Sequence, residues 1–289
     1  MKVSAISFGG DFTVAREGAV SLYRLGEGFD GSARVTVKSG IKHPVDVRSA
    51  VAPDGSALAV ARWGGRLRVF LETGEKVLDT KGPPDVVSIG LGSSDRLFVA
   101  CMIGSRTAER FSEVDIPSGE IRKVKGIRGY AHLAPASDGG LIHWSFKEVG
   151  HLAVDPVAVL RMWTLPARLI RATIDVEAGS AICGVWRSGE LIECGADGEV
   201  RYLARPTDAG HAISVAVAGD VVYAVYLNVH GDGGTSLFRA ARDGSGYSVS
   251  PLPDELGRCV ISPDARWAIT GDAAWPLVDG VLGEPVRLR

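Results

Sequence analysis

Glutamine is absent from this chain of 289 residues, and Asn228 is its only asparagine. Loss of heat-labile amides is a trend of proteins that work at high temperature. A GC-rich genome also favours Arg, Ala, Gly and Val, but would not by itself remove Gln, so a thermophilic source is expected. Lysine is scarce as well, 8 residues against 24 arginines, and only 23% of residues are charged. That falls short of the Lys/Glu enrichment of hyperthermophiles.

Cysteine is sparse and scattered: Cys101, Cys183, Cys194 and Cys259, with no Cys-x-x-Cys. The spacing excludes a compact zinc knuckle, and each thiol is expected to be a small buried apolar group. His43, His143, His151 and His230 lack metal-ligand spacing, so no metal and no cofactor are expected. No apolar run approaches the ~18 residues of a membrane-spanning helix. The opening MKVSAISFGGDF lacks the apolar stretch of a signal peptide. The expected location is the cytoplasm, away from membranes. The net charge is only -2, which argues against a nucleic-acid partner. The basic run Arg122-Lys-Val-Lys125 alternates and is read as one face of a protected edge strand. There is no Gly-x-Ser-x-Gly, no phosphate-binding glycine loop and no His-Glu-x-x-His. Nor does any segment sustain the 3.6-residue apolar spacing of an amphipathic helix.

What is present is short alternating apolar segments cut by turn residues. From Val45 to Thr80 four such segments are separated by Pro53-Asp-Gly55, Trp63-Gly-Gly65 and Thr73-Gly-Glu75. This is the pattern of a four-stranded antiparallel meander. Similar units recur over 1–40, 41–82, 83–126, 127–166, 167–206, 207–253 and 254–289. Pro117-Ser-Gly-Glu120 repeats the turn before the fourth strand, and Pro263-Asp-Ala265 repeats Pro53-Asp-Gly55. Seven units of about 41 residues predict a single-domain, all-β, seven-bladed β-propeller of four-stranded antiparallel blades. Each sheet has two apolar faces, and stacking sheets face to face buries both. Uneven fourth and sixth units leave six or eight blades as the alternative, and a β-sandwich as a weaker one.

With Ala52-Pro-Asp-Gly-Ser56, Ser262-Pro-Asp-Ala265 and the paired Gly-Glu turns, the sequence resembles the WD40-like propeller superfamily and the TolB- and quinoprotein-type propellers. The resemblance spans the chain. It implies a rigid platform for protein or ligand binding, with a minority of enzymes.

Propeller ligands usually sit over a central channel. Six residues before Asp54, Asp138 and Asp264 stand Arg48, His132 and Arg258, and two further back stand Asp46, Tyr130 and Leu256. These share a strand face, because strand side chains have period two. In the other units Val3, Val87, Ala172 and Ala212 take the ring position, and a one-residue slip substitutes Ser4, Ser88, Arg171 and His211. The candidate ligand site is therefore Arg48, His132, Arg258, Asp46 and Tyr130, a partly cationic mouth for an anionic group. The competing reading pairs Arg48 with Asp46 or a neighbouring blade's carboxylate.

The leading functional expectation is a non-enzymatic scaffold for a protein partner, using one rim. Trp63, at the tip between second and third strands, and Trp275, before a third strand, are the candidate contacts, with ordinary packing between blades as the competing reading for both. The alternative is a hydrolase or lyase acting on a small anionic substrate through Arg48, His132 and Arg258.

Overall fold

The computed structural model describes residues 2–62, 65–83, 85–101, 110–125, 127, 132–186, 188–204, 210–227, 234–253, 256 and 259–289. Among them the regular structure is all strand apart from 3₁₀ geometry at Pro44–Asp46 and at Leu256. Seven antiparallel sheets follow one another along the chain, each built from consecutive strands. Blade 1 comprises Lys2–Ile6, Asp11–Arg16, Ala19–Arg24 and Val35–Lys38. Blade 2 comprises Val47–Val51, Ala57–Arg62, Arg66–Leu71 and Lys76–Lys81. Blade 3 comprises Val86–Leu91, Arg96–Cys101, Arg110–Asp115 and Ile121–Lys123. Blade 4 comprises His132–Pro135, Leu141–Ser145, Glu148–Val154 and Val157–Thr164. Blade 5 comprises Leu169–Asp175, Ser180–Val185, Leu191–Cys194 and Val200–Ala204. Blade 6 comprises His211–Ala218, Val221–Leu227, Thr235–Ala241 and Tyr247–Pro251. Blade 7 comprises Val260–Ile261, Trp267–Ile269 and Ala273–Val278. Its fourth position is divided between Val281–Leu282, paired with Leu277 and Val278, and Val286–Arg287, paired with Ala273 and Ala274.

The turn chemistry read from the sequence builds the hairpins. Asp54 accepts hydrogen bonds from the Ser56 N–H at 3.0 Å and the Ser56 hydroxyl at 2.6 Å. Asp138 does the same for the Gly140 N–H at 3.0 Å. The residue after each aspartate turns left-handed, with φ of 75° at Gly55, 84° at Gly139 and 55° at Ala265. Glycine suits that conformation without steric cost.

The chain divides into two compact units, Met1–Ser145 with His151–Arg161 and Leu288–Arg289, and Phe146–Gly150 with Met162–Arg287. Within the first, the second strand of blade 2 shows the packing logic. Ala57, Ala59 and Ala61 join Ile89, Leu97 and Val99 of blade 3 in one cluster. Leu58 and Val60 join Ala15, Val20 and Leu22 of blade 1 in another. Blade 3 splits in the same way, with Leu97, Val99 and Cys101 on one face and Phe98 and Ala100 against Leu141 and Leu152 of blade 4 on the other. Period-two side chains thus feed two cores from one strand. Each fully buried Val or Leu is worth about 1.5–3 kcal/mol. The last residue returns to blade 1: the Arg289 N–H donates to Gly31 at 2.8 Å, and the Tyr23 hydroxyl donates to the Arg289 carbonyl at 3.1 Å.

The second unit follows the same rule. Val222, Ala224 and Tyr226 pack with Ile182, Leu191 and Leu203 of blade 5, while Tyr223 and Val225 pack with Ile261 and Trp275 of blade 7. All four cysteines are buried.

Candidate functional site

Arg48 lies in the first strand of blade 2, and its guanidinium reaches backbone rather than a carboxylate. Nε donates to the Val87 carbonyl of blade 3 at 2.9 Å, and Nη1 donates to the carbonyls of Val45 at 2.9 Å and Val47 at 3.2 Å. The same stitch recurs. In blade 3, Ser88 Oγ accepts from the Leu133 N–H of blade 4 at 3.0 Å. In blade 5, Arg171 Nε donates to the Ile213 carbonyl of blade 6 at 3.0 Å, and burial pushes its pKa below the usual arginine value. In blade 6, Ser214 Oγ accepts from the Ile261 N–H of blade 7 at 2.9 Å. In blades 3 and 5 the stitching residues, Ser88 and Arg171, are those of the slipped register. Among the described residues no carboxylate pairs with Arg48. Asp46 sits half-buried in the 3₁₀ turn.

His132 is half-buried, with its ring stacked on Trp144 at 5.3 Å. Arg258, Tyr130 and Trp63 lie outside the described residues. So does His230, one of the histidines weighed as a ligand. Trp275 corrects the expectation of an exposed rim contact. It is 6% exposed and packs with Tyr223 and Val225, because the strand face that carries it turns toward blade 6.

Two polar knots tie neighbouring blades. Asp11, fully buried, accepts from Arg24 through both oxygens at 2.9 Å and from Arg34 at 3.0 Å. Arg34 also pairs with Glu72 of blade 2. In the second unit, buried Glu193 receives Ser180 at 2.7 Å, Arg201 at 2.5 Å, and Arg242 of blade 6 at 2.6 Å. Burial alone would raise the Glu193 pKa. The bonds from Arg242, Arg201 and Ser180 outweigh it and hold the carboxyl below its usual range. This knot floors a cleft of about 530 Å³ in which Asp197, Glu199, Asp220 and Asp243 add further negative charge.

The sequence reading missed a row of stacked side chains in the second unit. Arg168 lies in the connection from blade 4 to blade 5. Its guanidinium carbon sits 5.0 Å from the Phe146 ring centre and 5.3 Å from that of Trp186. Trp186 in turn stacks on His211 at 4.5 Å, nearly parallel at 9°. Backbone bonds fix the row. The Leu169 N–H donates to the Phe146 carbonyl at 2.5 Å, and the Trp186 N–H donates to the Arg168 carbonyl at 2.7 Å. Phe146 is 50% exposed, Arg168 is exposed and Trp186 is half-buried. A signal for this row existed. Phe146 and Trp186 each directly follow a second strand, the position that Trp63 holds in blade 2.

No family profile matches this chain, and no curated protein matches it. Solved structures do. The β-propeller domain of Cps50 (Swd1) from Myceliophteria thermophila aligns with a TM-score of 0.63 at 13% identity, covering 96% of this chain and 93% of that one. Hydrazine synthase from Kuenenia stuttgartiensis aligns with a TM-score of 0.63 at 13% identity, covering 99% and 94%. A chain of the mitotic checkpoint complex aligns with a TM-score of 0.64 at 15% identity, covering 93% and 82%. At such identities the likeness is one of fold, and the fold of this chain is a seven-bladed β-propeller of four-stranded antiparallel blades.

Proposed function

We propose that this propeller is a non-enzymatic scaffold that binds a protein partner through the rim formed by the turns after the second strands. The observation that carries this reading is the Phe146–Arg168–Trp186 row, an exposed cation braced by aromatic rings. Trp and Arg are the residues most enriched among binding hot spots, and stacking orders them before a partner arrives. Trp63, which follows the second strand of blade 2 in the sequence, is tested beside it as a separate candidate. Two of the similar solved structures support it in kind, one being an isolated propeller domain of Swd1 and the other part of a named complex.

The enzymatic alternative, with Arg48, His132 and Arg258 around a small anion, has less in its favour. Backbone carbonyls already take Nε and Nη1 of Arg48.

The test is affinity capture from a lysate of the source cells with wild type, Trp186→Ala, Arg168→Gln and Trp63→Ala baits. The expected result is a protein retained by wild type and lost with the Trp186 and Arg168 variants. Identical retention by all baits would reject the rim. A wild-type bait that retains nothing would reject the scaffold.

A further inference from the structure

The partner chemistry of this rim can be narrowed, an inference that rests on the scaffold reading above. Arg168 is an exposed guanidinium, and among the described residues no carboxylate forms an ion pair with it. Glu190 accepts from the Ser188 hydroxyl at 2.9 Å, and Glu148 lies beyond exposed Lys147 on the turn that carries Phe146. Four other arginines of the second unit are committed. Arg171 is spent on backbone carbonyls, Arg242 and Arg201 on Glu193, and Arg287 on Asp272. Arg168 thus stands out as a cation held by rings instead of by an anion.

That arrangement has a chemical consequence. A guanidinium held beside ring faces keeps the N–H donors at the edge of its own plane. Those edge donors match a carboxylate, which accepts two parallel hydrogen bonds from one guanidinium. The rings beside it offer apolar area to whatever flanks that carboxylate. Phe146 contributes a half-exposed ring, and Trp186 is held from behind by His211. Because the arginine and the tryptophan are already ordered, docking an anion forfeits little side-chain freedom.

We infer that the rim at Phe146, Arg168 and Trp186 receives an acidic segment of a partner protein, in which an Asp or Glu carboxylate meets Arg168 while an adjacent apolar side chain lies on the two rings. The uncompensated charge selects an acidic segment over a basic or neutral one. The flanking rings select a segment over a free anion, which would leave them uncovered.

The experiment uses the full chain and fluorescein-labelled synthetic peptides read by anisotropy. One peptide alternates Glu with Leu, one replaces every Glu by Gln, and one replaces every Glu by Lys. Inorganic phosphate serves as the free-anion competitor. The expected result is binding of the Glu/Leu peptide roughly tenfold tighter than the Gln/Leu peptide, as for a charge-assisted hydrogen bond. Affinity should weaken with added salt. Arg168→Gln should remove most of that advantage. Arg168→Lys should restore only part of it, because an ammonium neither stacks nor forks. Trp186→Phe keeps a ring and should retain binding, whereas Trp186→Ala should lose it.

Equal binding of the Glu/Leu and Gln/Leu peptides, both lost with Trp186→Ala, would overturn the acidic assignment and leave the scaffold standing. Tightest binding of the Lys/Leu peptide would do the same. Phosphate that displaces the labelled peptide at equal molar concentration would also overturn it, in favour of a simple anion site. If no peptide binds while the lysate partner is still lost with Arg168→Gln, the acidic segment is rejected and the rim survives. If that partner is not lost either, both readings fall.

Discussion

Arg242 of blade 6 donates through Nη2 to Glu193 Oε1 of blade 5 at 2.6 Å, and the acceptor is almost completely buried. Removing the cation leaves that carboxylate only Arg201 and Ser180, and leaves Asp175 without the ion pair it makes with Arg242. Arg242→Ala should therefore destabilise the fold by about 3 kcal/mol in urea denaturation. Replacing both partners, Glu193→Leu with Arg242→Met, should recover part of the loss, since no carboxylate stays buried at 193 while Asp175 and Arg201 still lose their partners. The folded pKa of Glu193 is depressed, so its contribution is full above the ordinary Glu range and disappears as pH falls through the folded value. The gap between wild type and Arg242→Ala should narrow accordingly below roughly pH 4.

His143 sets a second pH dependence. It is 2% exposed, and neither ring nitrogen has a hydrogen-bond partner among the described residues. Burial lowers its pKa from 6.5 to about 4. The unfolded chain therefore binds a proton that the folded chain refuses between those values. Stability is complete above 6.5 and declines as pH falls toward 4, by about 3 kcal/mol in all. His143→Leu should raise the melting temperature at pH 5 by more than at pH 8. An equal rise at both would show that the imidazole is not neutral in the folded state.

Gly55 is a point of close approach. A Cβ at this position would collide with the Asp11 carboxylate and with Arg24 Nη2 of blade 1, and its φ of 75° disfavours any other residue. Gly55→Ala should cost at least about 1 kcal/mol for the backbone, with more from displacing the Asp11–Arg24 pair. Gly139→Ala is the matched control, since it shares the positive φ but meets nothing within 4 Å. The difference between the two in chemical denaturation isolates the collision.

The comparison of Gly55 with Gly139 also shows what the sequence makes legible. Both turns were readable from an aspartate followed by glycine, because that chemistry is local. The two-faced burial of Ala57–Arg62 was readable as well, since its unbroken apolar run leaves no face for water. Other features depend on which residues meet across blades. Arg48 reads as a free cation in sequence, and only the approach of the Val87 carbonyl shows how it is used. Trp275 looks like a rim residue until its strand face is known. Phe146, Arg168 and Trp186 share no spacing motif, because three different connections bring them together. The choice of Trp63 rested on its place after a second strand. It lacked the information that the turns of blades 4 and 5 hold aromatics beside an arginine.

Arg48 and Arg171 provide a final test, since they make the same stitch in different units. Each donates Nε to a carbonyl in the first strand of the next blade, Val87 for Arg48 and Ile213 for Arg171. A buried carbonyl left without its donor costs about 1–3 kcal/mol. Arg171 is the more buried, as its lowered pKa reflects, so Arg171→Ala should sit at the upper end of that range and Arg48→Ala at the lower. Met at either position restores volume but no donor, so it should recover packing and little else. The anion hypothesis makes a different demand on Arg48. If a small carboxylate or phosphate binds there, such anions should raise the melting temperature of wild type and of Arg171→Ala, but not of Arg48→Ala. A stitch alone predicts that anions leave all three unmoved while both alanine variants melt earlier.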